Sequence, residues 1–193
     1  MAMNFVIFDL ETTGLSPNYH EIIQIAGVRI SSGAGRRAQA GEFSTYVRPT
    51  GAIPEIISEI TGICDEHVAD APDAASGLAQ FARFAGDATL VAHNGARFDM
   101  RFIRAACVRH GLAMREVEFV DTLTLARSLW GYGGPHHLDA IAARLGISTE
   151  GRCRHNALGD VQILASAFLR MIDRKTAADG TVILETIKLE FPL

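Results

Sequence analysis

Residues 5–14 read FVIFDLETTG, a β-branched and aromatic run that turns into acid, leucine, acid before a threonine pair and a glycine. Val, Ile and Phe favour a strand and Gly14 favours a turn, so the segment reads as a strand running into a loop. Strand side chains alternate between faces, which puts Asp9 and Glu11 on one side and Leu10 on the other. Two carboxylates on one face near a sheet end repel each other, and each is costly to desolvate unless a cation sits between them. A hard divalent metal ion is the natural cation, because it prefers oxygen ligands. The pattern alone leaves a second reading open, an Asp and a Glu flanking a strand end in water.

The segments after this strand fix the fold class. EIIQIAGVRI (21–30) and EFSTYVRP (42–49) read as two further strands on either side of the turn-rich SSGAGRR (31–37), which makes a three-strand meander. Helices are expected over 54–63, which opens with Pro54, and over 73–86, which closes at Gly86. A strand at 88–94, a helix at 96–111, a strand at 118–122 and the helical TLTLARSLW come next. HHLDAIAARLG (136–146) places Leu138, Ile141, Ala142 and Leu145 at helical spacing with Gly146 as its C-cap, and a last helix spans about 156–174. Strands first and then strands alternating with helices predict an α/β fold, a mixed five-stranded sheet flanked by helices. At 193 residues one domain is expected, covering 1–175. The tail 176–193 contains TVILETIKLEF, strand-like in composition, which either packs on the domain or binds a partner.

Several classes drop out on composition. The N-terminus lacks a basic lead, and Asp9 cuts its apolar run short, so neither a signal peptide nor a membrane span is expected. Cys64, Cys107 and Cys153 are odd in number and lack a C-x-x-C spacing, which fits a reducing cytoplasm better than a disulfide framework or a zinc site. The net charge of −4 does not exclude a nucleic-acid partner, because metal-bound carboxylates would no longer count against it. The basic residues are nearly all arginine, which suits phosphate recognition but also fits a bias in genome composition.

Two more carboxylates stand at element ends. In HNGARFD (93–99) a strand gives way to a helix, with Asn94 as the expected N-cap and Asp99 in the second turn beside Phe98. In RCRHNALGD (152–160), Asp160 heads the stripe Leu164, Ala167, Met171 at i+4, i+7 and i+11, so a carboxylate leads an otherwise apolar helix face. His155 lies five residues earlier in a polar loop, from which its ring can swing toward the same cavity. Arg97, Arg101 and Arg104 share a helix face that reads as a solvated basic surface, with tracking of a phosphate backbone as the alternative, and His93, His136 and His137 are assigned local structural roles.

FDLETTG, HNGARFD and HNALGD, in that order, resemble the three exonuclease motifs of the DEDD 3′-to-5′ exonucleases, in the histidine-containing DEDDh branch of the ribonuclease H-like fold. The match runs from about Asn4 to Arg170. The linking stretches VRPTGAIPEIISEITGI, FVDTLTLARSLW and HHLDAIAARLGI are similar to those of the proofreading epsilon subunits of bacterial DNA polymerase III and their stand-alone relatives. Gln24 stands where many relatives have Glu, and Gly159 where a helix former is common. The resemblance implies two Mg²⁺ or Mn²⁺ ions: Asp9, Glu11 and Asp160 ligate one, Asp9 bridges to the second, and Asp99 holds that second ion through water. It implies His155 as general base, with Thr12, Thr13, Asn94, Phe98 and Ile63 against the 3′-terminal nucleotide. The expected substrate is the 3′ end of single-stranded DNA, with nucleoside 5′-monophosphates released. RNA or short oligonucleotides, and a non-catalytic nucleic-acid-binding or polymerase-associated module, are the rival readings. A polymerase partner is compatible with the resemblance; a membrane is not expected.

Overall fold

A computed structural model describes residues 4–33, 36–149, 157–179 and 184–193. The chain begins with β1 (Asn4–Thr12), β2 (Ile22–Gly33), β3 (Arg36–Tyr46), α1 (Glu55–Thr61), α2 (Asp65–Val68), α3 (Ala74–Ala85) and β4 (Thr89–Ala92). Then come α4 (Asp99–His110), β5 (Met114–Asp121), α5 (Thr122–Trp130), α6 (Leu138–Leu145), α7 (Ala157–Asp179) and β6 (Ile187–Pro192). One mixed sheet runs β3-β2-β1-β4-β5-β6. The first three strands form the antiparallel meander that the sequence indicates, β4 and β5 lie parallel to β1 in turn, and β6 closes the far edge antiparallel to β5.

The α/β class with a mixed, helix-flanked sheet agrees with the expectation, and the sheet has one strand more. That strand is β6, from the segment of strand-like composition near the end of the chain, and it buries Phe191 completely. Pairing with β6 also explains why β5 begins at Met114 and not at 118: three residues of β5 pair with β4, whereas the pairing with β6 runs from Met114 to Phe119. The β2–β3 ladder likewise continues to Gly33↔Arg36, through residues expected to be turn. Cross-strand hydrogen bonds are non-local, and local composition does not report them.

β1 sorts its side chains between two layers. Val6, Phe8 and Leu10 pack with Leu78, Phe81, Phe102 and Ile103 of α3 and α4, whereas Phe5 and Ile7 pack with Ile141, Val161, Leu164 and Phe168 on the α5–α7 side. Each such side chain contributes about 1.5–3 kcal/mol by leaving water. Phe8 meets Phe81 at 5.3 Å, and Phe5 meets Phe168 edge-on at 5.1 Å, so both faces of β1 are clamped by aromatic rings. Continued by period two, the Phe5 and Ile7 face presents Asp9 and Glu11 toward the layer of α7. Among the described residues, no helix is long and apolar enough to cross a membrane.

Candidate active site

The site forms at the C-terminal ends of β1 and β4, where parallel strands leave an open crevice. Asp9, Glu11 and Asp160 each offer a carboxylate oxygen, and these atoms lie within 4.8 Å of one another. Two come from one strand face, and the third from the first turn of the helix covering that face. Leu164, Ala167 and Met171 are buried beneath Asp160, as the stripe requires. Gln24 fixes the start of α7: it is paired with Glu11 across β1 and β2, is only 4% exposed, and its Oε1 accepts the Ala157 N–H at 3.3 Å. At that place an amide adds no further negative charge beside Glu11.

Asp99 arrives from the other layer. Asn94 does not cap the helix, contrary to the expectation; its φ is 58°, α4 starts at Asp99 itself, and Phe98 is the N-cap. The reason is Asp121, which accepts the N–H groups of Asn94 at 2.9 Å, Ala96 at 3.3 Å and, as N-cap of α5, Leu123 at 2.9 Å. It thereby holds residues 94–96 in a turn before the helix begins. Arg97 consequently sits in this turn, away from Arg101 and Arg104, which line a separate hollow with Arg109. Arg104 also pairs with Glu190 at 2.7 Å.

Asp99 is 2% exposed, and its Oδ1 lacks a hydrogen-bond partner among the described residues. Burial pushes its carboxyl up to about 7, with the charges of Asp121 and Glu11 adding to the effect while backbone hydrogen bonds oppose it. Gly95 permits this packing: a Cβ there would lie 2.5 Å from the Ala92 Cβ, 3.0 Å from the Phe119 Cζ and 3.3 Å from Asp99 Oδ2. Gly95→Ala should therefore cost about 1–3 kcal/mol of stability by overpacking and displace Asp99. Thermal melting and an activity assay check this; an alanine variant matching wild type in both would refute the close fit.

Asp9, Asn94, Phe98 and Asp99 line an open cleft of about 490 Å³, together with His93, Leu123, Arg127, Tyr132, His136 and His137. Phe98 is half-buried and packs on Phe102 with ring centroids 4.9 Å apart. Thr12 and Thr13 are buried in the β1–β2 turn, where the Thr12 hydroxyl donates to Gly14 O at 2.7 Å and the Thr13 hydroxyl accepts the Glu21 N–H at 2.9 Å. Ile63 is 1% exposed, packs with Ile23, Ile53 and Val68, and is not among the residues that line this cleft. His155 lies outside the described residues, as do Arg152 and Arg154.

The other histidines are held by local hydrogen bonds. The His93 Nδ1 lies 2.9 Å from the Thr122 hydroxyl, and burial holds its imidazole below the ordinary value, against the pull of Asp121. The His136 Nε2 donates to Gly131 O at 2.8 Å, and the His137 side chain accepts the Ala140 N–H at the start of α6. Three contributors are not singled out from sequence: Asp121, Gly95 and Arg127. The signal for Asp121 is present, an Asp directly before a helical run, but what it caps beyond its own helix is visible only in three dimensions.

The RNase T family, described as exonuclease, matches residues 6–168. Over 171 residues, 88% of this chain, the sequence is 42% identical to a DNA polymerase III subunit epsilon-like protein of Rhodobacter capsulatus, and it covers 24% of that protein. It is 35% identical over 170 residues to the PolC-type DNA polymerase III of Staphylococcus aureus, covering 11% of it. The chain thus spans a quarter or less of the length of these curated relatives. Among solved structures, Exonuclease X in complex with 5′ overhanging duplex DNA superposes with a TM-score of 0.70 at 27% identity, over 92% of this chain and 94% of that one.

Proposed function

The chain belongs to the RNase T exonuclease family, and from that premise we propose that it is a divalent-metal-dependent 3′-to-5′ exonuclease acting on single-stranded DNA and releasing nucleoside 5′-monophosphates. One observation carries the reading: three carboxylates within 4.8 Å of one another beside a fourth, Asp99, whose Oδ1 is buried without a hydrogen-bond partner among the described residues. Such an oxygen donor set suits hard cations, and a buried carboxylate oxygen such as Asp99 Oδ1 is costly without a partner. Asp9, Glu11 and Asp160, with Asp99 beside them, would hold two Mg²⁺ or Mn²⁺ ions. When bound, such ions neutralise charge on the phosphoryl oxygens and stabilise the leaving oxygen.

The chain's own residues supply the rest. His155 takes the proton of the attacking water, and its ordinary pKa near 6.5 suits an acceptor at neutral pH. Phe98 and Asn94, on the cleft wall, orient the nucleotide, while Thr12 and Thr13 shape the turn against which its 3′ end rests, with Ile63 packed behind. The assignment to DNA is supported by relatives named as parts of DNA polymerase III, which also support a polymerase as partner. Residues 1–175 are assigned to the exonuclease domain, and the tail 176–193 packs on it through β6. A reducing, cytoplasmic location is supported by Cys64 and Cys107, which are free.

Incubation with 5′-labelled DNA and RNA single strands, with and without Mn²⁺, tests the reading. DNA should shorten from its 3′ end only with metal; preferential loss of RNA would replace the substrate, and binding without shortening would leave a nucleic-acid-binding module. His155→Ala should keep metal binding and lose about 10²–10⁴ in rate, the usual scale for a lost general base, along with the rising limb of the pH profile. A wild-type rate for that variant at pH 7 would show that another group takes the proton.

A further inference from the structure

We propose that Tyr132, backed by Arg127, is a stacking station for a nucleobase of the single strand on the 5′ side of the scissile phosphate. The loop between α5 and α6 reads GYGGPHH, and it sends one large side chain into solvent: Tyr132 is 85% exposed at the rim of the cleft that holds Asp9 and Asp99. Its tip is glycine-built, with Gly131 at φ 76° and Gly134 at φ 92°, conformations that other residues rarely adopt. The feet of the loop are fixed. The Arg144 guanidinium lies 4.8 Å from the Trp130 ring centroid, Trp130 and His136 are nearly parallel at 14°, and His136 bonds back to Gly131 O.

A pinned loop with a bare aromatic ring at its crest leaves that ring without apolar cover. Its described ring contact is the Arg127 guanidinium, 5.7 Å from the centroid. A nucleobase fits this place well, because stacking on an aromatic ring beside an arginine needs no particular base and leaves the guanidinium near the phosphate. Arg127 also lines the adjoining groove with Arg97, beside the carboxylates of Asp121 and Glu185, so two guanidinium groups stand within reach of a phosphate where a strand would leave the acidic centre. Asn94 and Phe98, assigned to the 3′-terminal nucleotide, line the inner wall of this cleft, so a base at its exposed rim belongs to a neighbouring nucleotide, and a 3′-terminal nucleotide has neighbours only on its 5′ side.

The inference rests on the exonuclease reading, and its test separates the two. Tyr132→Ala should lower kcat/KM on a short single-stranded oligothymidylate by about tenfold to a hundredfold, the effect of losing one stacked base, and Tyr132→Trp should restore it. An oligonucleotide with an intact terminal nucleotide but abasic sugars at the next two positions should be cut equally slowly, to within about twofold, by wild type and by Tyr132→Ala. An alanine variant that matches wild type on the normal strand, or that loses as much again on the abasic one, overturns the station. Fluorescence anisotropy of the same oligothymidylate in Ca²⁺ gives a readout independent of chemistry. Tenfold weaker binding by Tyr132→Ala upholds the station even if wild type cleaves nothing, a result that would refute the exonuclease reading alone. Unchanged binding and cleavage in an active protein would refute only the station.

Discussion

Replacing Asp9 or Asp160 by alanine should reduce nuclease turnover by at least about 10³-fold while leaving a folded protein, since the charge stabilisation attributed to bound metal is worth several kcal/mol of barrier. Both side chains are only half-buried and neither fills a core position, so no cavity forms. Each removes one of three oxygens gathered within 4.8 Å. The metal-free variants should melt at or above wild type, because one member of a like-charge cluster is gone. Mn²⁺ at a hundredfold excess over its Kd should stabilise wild type by about 2.7 kcal/mol, and should stabilise either variant less. Calorimetry with and without Mn²⁺ beside a turnover assay reads both effects. Appreciable turnover in a folded Asp9→Ala protein would remove the metal assignment, and an equal Mn²⁺ response in variant and wild type would show that the ion binds elsewhere.

The parts of this site legible in the sequence are those written in a local period. Asp9 and Glu11 share a face because strands repeat every two residues, and Asp160 heads its stripe because helices repeat every 3.6. α5 spans the residues its pattern indicates, and α6 ends before Gly146 in the left-handed C-cap conformation, although it opens at Leu138 after His137 as N-cap and not at 136. Non-local contacts decide what the sequence does not show. Asn94 looks like an N-cap, a role Asn often fills, yet its backbone is captured by Asp121 from the neighbouring strand, and the helix starts five residues later. Gly95 reads as a turn glycine, but its distinguishing feature is the approach of Ala92 and Phe119. Ile63 sits in an ordinary apolar pattern whose place, in a small cluster with Ile23, Ile53 and Val68, depends on packing of α1 and α2. Single-strand periodicity also says nothing about which strands neighbour each other, so β6 and the lengthened β5 appear only once the sheet is assembled.

Asp99→Asn should make the metal-free protein more stable at neutral and alkaline pH by up to about 4 kcal/mol, a rise in melting temperature on the order of 10 °C for a domain of this size. Proton counting gives the sign. An unfolded Asp titrates at its ordinary value of 3.8, whereas burial raises the folded value to about 7. Below 3.8 both states hold the proton and burial of the carboxyl carries no electrostatic penalty. Between 3.8 and about 7 the unfolded chain has released a proton that the folded chain retains, so stability falls as pH rises, and above 7 the loss is complete. The amide keeps nearly the same shape and does not ionise, so this component of the pH dependence should vanish in the variant. Metal acts on the same group from the other side. An ion near Asp99 favours the carboxylate, so Mn²⁺ should bind wild type more tightly at pH 8 than at pH 6 and release a proton on binding at pH 6, a release that a weakly buffered indicator detects and that Asp99→Asn should lack. Parallel falls in melting temperature from pH 4 to 8 in the two metal-free proteins, with equal proton release, would place Asp99 among the structural acids and leave the second ion without its ligand.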